Sequence, residues 1–206
     1  MKLRVSTISA LLIAFAICAA AKDAAAPTYD QKFLLDYFKQ TRADFENATK
    51  GLSDAQWNFK SGPDRWSVAE VSEHIAKAEQ YLSDTVTQKV MASPAATAEQ
   101  KAKTKGAEEK VLNQIPDRSH KAQAPDVLQP TKKWKDRTEL MKAYSDTRAS
   151  EEEFITTNFA ELRNHVASSP IGDLDAYEWM LFIAAHTKRH TAQILEVKAD
   201  PGYPKK

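Results

Sequence analysis

The sequence has almost no cysteine, since Cys18 is the single one among 206 residues. Cys18 lies inside an apolar N-terminal run that we predict to be removed as a signal peptide. The remaining chain would then have no disulfide, no thiolate ligand for a metal and no cysteine nucleophile. A secreted domain without disulfides has to rely on its hydrophobic core for stability.

Other features are missing as well. No segment alternates apolar and polar residues as a half-buried strand does, and no internal repeat is present, so we predict an all-α protein. The formal net charge is only +1. A short basic cluster at Lys132, Lys133 and Lys135 is followed at once by Asp136. Because no basic face is clustered, the sequence predicts no nucleic-acid partner.

The first residues are basic, and an apolar run ending in Ala19-Ala20-Ala21 follows them. This order is typical of a secretory signal peptide. We therefore predict a signal peptide over residues 1–21, export to the periplasm or the medium, and a single domain over residues 22–206. The strictly apolar part, residues 10–21, is too short for a comfortable membrane span, so no stable span is expected after cleavage. A retained N-terminal anchor and a lipid attached to Cys18 are the alternatives.

Several segments have the periodicity of amphipathic helices. We predict helices over residues 30–50, 68–91, 138–159 and 174–198. Ser67 and Glu70 form a capping box before the second helix, and Asp173 is the predicted N-cap of the fourth. The fourth helix contains seven consecutive apolar residues from Trp179 to Ala185, which predicts burial on more than one side.

The connection between the second and third helices, residues 92–135, is long and contains four prolines. It is predicted to be an exposed, mobile crossover with a helical piece near residues 98–114. A crossover of this length lets the second and third helices run parallel in a four-helix bundle.

Three of the five histidines are candidates for a metal site. His186 and His190 have the i, i+4 spacing that places two imidazoles on one face of a helix, where they can hold one ion. His74 lies on the inner face of the second helix. Burying imidazoles without partners is costly, so a shared metal accounts for the three together. The alternatives are a solvated or core-edge pair and, for His74, a core histidine bonded to a carbonyl.

Several motifs along the chain occur together in one family. They are Phe33-Leu34-Leu35, Leu52-Ser53 with Gln56, Trp66 through Val71 with His74-Ile75-Ala76, Ala124-Pro125 with Leu128 and Pro130, and His186 through Ile194. With these motifs the chain resembles the DinB-like superfamily of metal-binding four-helix bundles over nearly the whole region after the signal. The two histidine segments are specific, whereas the crossover is not.

The resemblance implies a four-helix bundle with an up-down-down-up course. It also implies a metal held by His74 from the second helix and by His186 and His190 from the fourth. Family members include thiol S-transferases, thiol-dependent isomerases and metal-dependent hydrolases, and many have no assigned reaction. Low-molecular-weight thiols belong to the reducing cytosol, so predicted export argues against a simple transfer of the thiol chemistry.

Other polar residues allow two interpretations each. Glu70 could orient His74 or act as a base, but we favour its capping role. Gln193 could bond a histidine or a ligand, but we favour an ordinary interhelical hydrogen bond. Glu151 could face the cavity, but we favour a pair with a neighbour such as Arg148. The remaining histidines are predicted to be solvated in loops: His120 and His165.

The site suggests three functions. The first is a metal-dependent enzyme, a hydrolase or a thiol S-transferase-like protein, in which the ion lowers the pKa of water toward about 7 and polarises oxygen or sulfur groups. The second is a non-catalytic module that binds a metal or a small ligand, and the third is a structural protein. Imidazole suits several divalent metals, of which we expect zinc or nickel. We expect a small-molecule partner, and a homodimer is compatible with the sequence.

Overall fold

Helices make up most of the computed structural model, which describes residues 28–120 and 123–205. The helices are α1 (Gln31–Thr49), α2 (Asp54–Asn58), α3 (Val68–Thr85), α4 (Ala98–Lys103), α5 (Ala107–Gln114), α6 (Arg137–Leu162) and α7 (Ala176–Lys198). The predicted signal peptide lies outside the described residues. None of the helices within them is long and apolar enough to cross a bilayer.

Each long helix begins at a side chain that accepts a hydrogen bond from a backbone amide of the first turn. Ser67 and Glu70 form the predicted capping box at the start of α3. The predicted N-cap of the last helix, Asp173, is wrong, because Asp175 and Glu178 form the capping box of α7. Asp173 belongs instead to an extended segment that precedes the helix.

The four long helices form a bundle with the up-down-down-up course. α1 packs against α6 and α7, and α3 packs against the same two helices, so α3 and α7 are neighbours along the bundle. In α7 every side chain from Tyr177 to Ala185 is buried, which confirms the prediction that this helix is covered on more than one side. Full burial of each large apolar side chain contributes about 1.5–3 kcal/mol to stability.

The crossover between α3 and α6 has more structure than its composition predicts. α3 continues directly into a π-helical turn, Val86–Val90. The helical piece predicted near residues 98–114 is present as α4 and α5, separated at Gly106, whose φ of 80° favours glycine. Val111 and Leu128 are buried. The expectation of an exposed crossover is therefore wrong for these parts of it, which pack on the bundle.

A short antiparallel hairpin precedes α7, and the sequence did not predict it. Strand β1 (Val166–Ser169) pairs with strand β2 (Gly172–Asp175), with Ser169 opposite Gly172. The expectation that no strand is present is wrong here. The strands have four residues each, too few for apolar alternation to stand out from the helical pattern around them.

Candidate metal centre

His74 is fixed on both sides in the middle of α3. Its side chain is 2% exposed, and its Nδ1–H donates a hydrogen bond of 3.0 Å to the carbonyl oxygen of Leu128. The ring of Trp66 packs against it, with 5.0 Å between the ring centroids. His74 therefore presents only its Nε2 to the space between α3 and α7.

His190 is held in a similar way from α7. Its Nδ1–H donates a hydrogen bond of 2.8 Å to Oε1 of Gln193, one turn further along the helix. Arg118 from the crossover donates to the same Oε1 over 3.3 Å and forms an ion pair with Glu196. Gln193 thus bonds the histidine, and our preference for an ordinary interhelical hydrogen bond was wrong.

The three histidines converge on one point. The Nε2 atoms of His74 and His190 are 3.2 Å apart, and one ring nitrogen from each of His74, His186 and His190 lies within 4.8 Å of those from the other two. The ring of His186 is 4.4 Å from that of His190 and 5.1 Å from that of His74, measured between centroids. The structure therefore brings together the three residues predicted as ligands.

The hydrogen bonds show which nitrogens carry protons. A carbonyl oxygen can only accept, and Oε1 of Gln193 already accepts from an arginine, so Nδ1 of both His74 and His190 must donate. In neutral rings the lone pairs of the two Nε2 atoms then face each other across 3.2 Å. Nitrogen ligands about 2.0–2.1 Å from a tetrahedral zinc ion are about 3.3 Å apart. The donor set fits one divalent cation.

Burial keeps these imidazoles neutral. It is the largest cause that lowers the pKa of His190 to about 3, and the neighbouring His74 adds to the effect. Burial also lowers the pKa of His74, and it lowers that of His186 further, with the other two histidines contributing. Neutral imidazole is the form that binds metals, so the site does not have to lose protons to accept an ion at neutral pH.

A cavity of about 1140 Å³ opens onto the three histidines. Its volume is above the range of about 300–1,000 Å³ usual for small-molecule sites. Rings of Trp66, Trp179 and Phe182 line it, together with apolar side chains from the crossover and the turn of the hairpin. The site can therefore hold a substrate larger than the single group that would contact an ion.

The acidic candidates do not line this cavity. Glu70 accepts from the backbone N–H of Ser67 and pairs with Lys60 over 2.8 Å, which confirms its capping role. Glu151 is buried, with its Oε2 3.8 Å from Nε of Arg148. The preferred interpretation of both carboxylates is confirmed.

The prediction that both remaining histidines are solvated is confirmed for one of them and wrong for the other. His120 is exposed, as predicted, although it also lines the rim of the cavity. His165 is partly buried and its ring Nδ1 lies 2.8 Å from the carbonyl oxygen of Ser93. The prediction is wrong for His165, because this contact links the start of the hairpin to the crossover.

Two groups of residues that shape the site were not predicted from the sequence. Arg118 and Arg189 attach the crossover to α7, where Arg189 donates 2.8 Å to the carbonyl oxygen of His120. Arg189 was a possible signal, because it lies between His186 and His190 in the sequence. The carbonyl of Leu128 had none, because a backbone acceptor can be assigned only when the path of the chain is known.

The second group lies beneath the centre and is fully enclosed. Glu79 from α3 accepts hydrogen bonds from Arg148 of α6, at 2.8 Å, and from Thr187 of α7. Glu79 comes after the apolar positions on the inner face of α3. No sequence pattern around it therefore predicts that its carboxylate is buried. It links the helix that carries His74 to the helix that carries His186.

A bundle that converges three imidazoles on one point is typical of metal-binding helical proteins. The model of the DinB superfamily matches residues 37–194, and the chain belongs to this superfamily. The chain is 28% identical to the uncharacterized protein YuaE of Bacillus subtilis over 169 residues, which cover 80% of this chain and 96% of that protein.

The fold is also similar to a solved structure. YfiT from Bacillus subtilis, described as a probable metal-dependent hydrolase with an unusual four-helix bundle topology, superimposes with a TM-score of 0.54 at 13% identity. The match covers 87% of this chain and 91% of YfiT. At this identity the likeness shows the fold.

Proposed function

We propose that this protein is an exported hydrolase of the DinB superfamily that uses one divalent metal ion held by His74, His186 and His190. The convergence of the three imidazoles, with two Nε2 atoms 3.2 Å apart, is the observation that carries the proposal. YfiT, a probable metal-dependent hydrolase of similar fold, supports the reaction class. The apolar run before residue 22 supports export.

The chain's own residues would orient the site. The carbonyl of Leu128 and the amide of Gln193 hold His74 and His190 with Nε2 toward the cavity, and Arg118 holds the amide. The ring of Trp66 packs against that of His74, which is 2% exposed. When bound, zinc or nickel would polarise a substrate carbonyl or phosphoryl group and make water a better nucleophile.

A non-catalytic binding module is the second candidate, and the carboxylates favour it. A hydrolase of this type usually has a general base within hydrogen-bond reach of the reacting water. Glu70 is occupied as a cap, and both oxygens of Asp117 accept hydrogen bonds from Ser119. Among the described residues that line the cavity, exposed Asp64 is the carboxylate left to serve as a base.

Metal titration tests the site before any substrate is known. We expect chelator-treated protein to bind one equivalent of zinc or nickel in a calorimeter and to melt at a higher temperature when loaded. The variant with His74, His186 and His190 all changed to alanine should show neither effect. His165→Gln is the matched control, because His165 lies outside the cluster, and it should bind like the wild type. No binding by the wild-type protein would overturn the metal site.

Turnover separates the two candidate functions. Metal-loaded protein should hydrolyse members of an ester and amide panel, and the triple-alanine variant should not. Asp64→Asn should slow hydrolysis without changing metal affinity if Asp64 is the base. Tight metal binding without turnover on any compound would favour the binding module. Cell fractionation of the tagged full-length chain, with sequencing of the mature N-terminus, tests export.

A further inference from the structure

The cavity continues well beyond the three histidines as an apolar arm. On α7 a row of rings leads away from His190 through His186 and Phe182 to Trp179. The rings of Phe182 and His186 are stacked at 6.5 Å, and those of Trp179 and Phe182 are 5.8 Å apart. The indole N–H of Trp179 donates to the carbonyl oxygen of Ala167 in β1, which fixes this ring at the far end.

The opposite wall of the arm comes from α3 and the turn after it. Leu82, Thr85 and Lys89 line the cavity at successive helical turns beyond His74. From His74 to Lys89 the helix advances roughly four turns, about 20 Å. Because α3 and α7 are antiparallel neighbours, Lys89 lies toward the end of the bundle where α7 begins, and the π-helical turn that carries it packs against α7.

The π-helical turn changes which side chains face the cavity. Such turns are rare and are frequent at functional sites, because the wider turn redirects side chains. Here the turn covers Val86–Val90 and buries Val86 and Val90, while Lys89 is exposed and lines the cavity. The described residues include no ion-pair partner for the ammonium group of Lys89.

Charge is distributed unevenly along the cavity. The histidine end carries charges of both signs, since Asp64 and Asp117 line it together with Arg65, Arg118 and Arg189. Arg118 pairs there with Glu196, and Arg189 donates to backbone carbonyl groups of the crossover. Among the described residues that line the arm, Lys89 carries the only charge. An apolar passage that ends at an unpaired ammonium group complements a ligand with an apolar chain and an anionic end.

We propose that the arm binds an amphiphilic carboxylate, whose apolar chain lies along Phe182 and Trp179 and whose carboxylate pairs with Lys89. This inference rests on the proposed function in one respect, that the other end of the ligand presents its reacting group to the three histidines. The substrate class is then an acyl compound whose chain ends in a carboxylate.

Two matched probes test the arm. One is an alkyl hydroxamate whose chain ends in a carboxylate, and the other is the same compound with the carboxylate replaced by a neutral primary amide. With metal-loaded wild-type protein in a calorimeter, we expect the carboxylate probe to bind about tenfold more tightly, the effect of one charge-assisted contact. A homologous series should show an optimum chain length, because the arm has a fixed extent.

Variants of the arm identify the residues. Lys89→Met should abolish the preference for the carboxylate probe and leave the affinity for the amide probe unchanged. Phe182→Ala should lower the affinity for both probes. Lys105→Met, which removes an exposed lysine outside the cavity, should behave like the wild type. Equal affinity of the two probes for the wild type, or an equal loss of both in Lys89→Met, would overturn the inference.

The failure of the metal site has a different signature. Chelation should weaken both probes alike, because it removes the contact to the hydroxamate, and the carboxylate preference should remain. If chelation instead leaves the affinities for both probes unchanged while the carboxylate probe is still preferred, the proposed metal function fails, and the inference about the arm is supported. Circular dichroism of each variant checks that the bundle is intact.

Discussion

Two polar clusters lie inside this bundle, one open to a cavity and the other enclosed. His74, His186 and His190 face the cavity between α3 and α7. Glu79, Arg148 and Glu151 lie beneath, each 2% exposed or less. Both clusters join α3 to neighbouring helices, and in both the protein has placed groups that prefer water into a low-dielectric interior.

The two clusters differ in where their positive charge comes from. The histidines are neutral because burial lowers each pKa, so the open cluster has donor atoms and no cation of its own. The enclosed cluster contains Arg148, and burial together with Glu79 raises the pKa of Glu151 well above its ordinary value. The enclosed cluster is thus balanced internally, while the open cluster is completed by an ion from outside.

Removing the internal cation should have the largest effect on stability. Arg148→Met leaves Glu79 buried without its positive partner, and we expect a loss of about 3–5 kcal/mol in the free energy of unfolding. Urea denaturation monitored by circular dichroism measures the change. If the free energy of unfolding falls by no more than it does when an exposed ion pair is removed, the enclosed cluster does not stabilise the bundle.

A surface pair on the same helix provides the control for this variant. Lys142 and Asp146 form an exposed i, i+4 pair on α6 at 2.6 Å. Lys142→Met removes a cation of the same sign from the same helix, and stability should hardly change, because solvent screens such pairs. The contrast between Lys142→Met and Arg148→Met isolates the contribution of burial.

Removing a residue of the open cluster should greatly reduce metal affinity and hardly change stability. His186→Ala removes a ligand and should weaken zinc binding by more than about 100-fold, since changes to residues that only support ligands already cost about 10–100-fold. The metal-free variant should unfold at a similar urea concentration to the metal-free wild type, because a half-buried imidazole without an ion adds little to stability. Calorimetric titration and urea denaturation of the same sample measure both. A strongly destabilised metal-free variant would show that His186 is a core residue.

A smaller effect is expected at the residue that orients a ligand. Gln193→Leu keeps the size of the side chain but removes the acceptor for Nδ1–H of His190. Zinc affinity should fall by about 10–100-fold while the metal-free stability stays close to that of the wild type. Cobalt substitution provides a second measurement, since its absorption spectrum should shift when the ring of His190 is free to rotate. Unchanged affinity and spectrum would make Gln193 a structural residue only.

The sequence predicted the open cluster better than the enclosed one, and the reason is physical. His186 and His190 repeat at one helical turn, and His74 lies on an apolar face, so a periodic pattern contained the site. Glu79 and Thr187 also approach each other from α3 and α7, but a contact between residues 108 positions apart leaves no local pattern. The long helices were predicted for the same reason as the histidines, whereas the hairpin and the π-helical turn depend on tertiary packing.

The smallest predicted effect concerns the pH dependence of the enclosed cluster. The folded state holds the proton of Glu151 above the ordinary pKa of 4.5, whereas the unfolded chain releases it near that value. The folded state then binds more protons than the unfolded state, so Glu151 lowers stability progressively as the pH rises above 4.5. Glu151→Gln, which resembles the protonated form, should flatten this decline in urea midpoints measured between acid and neutral pH.

The exposed neighbour Glu153 supplies the control, because Glu153→Gln should leave the slope unchanged. If both variants keep the slope of the wild type, Glu151 is ionised in the folded protein, and the enclosed cluster is not balanced by a retained proton.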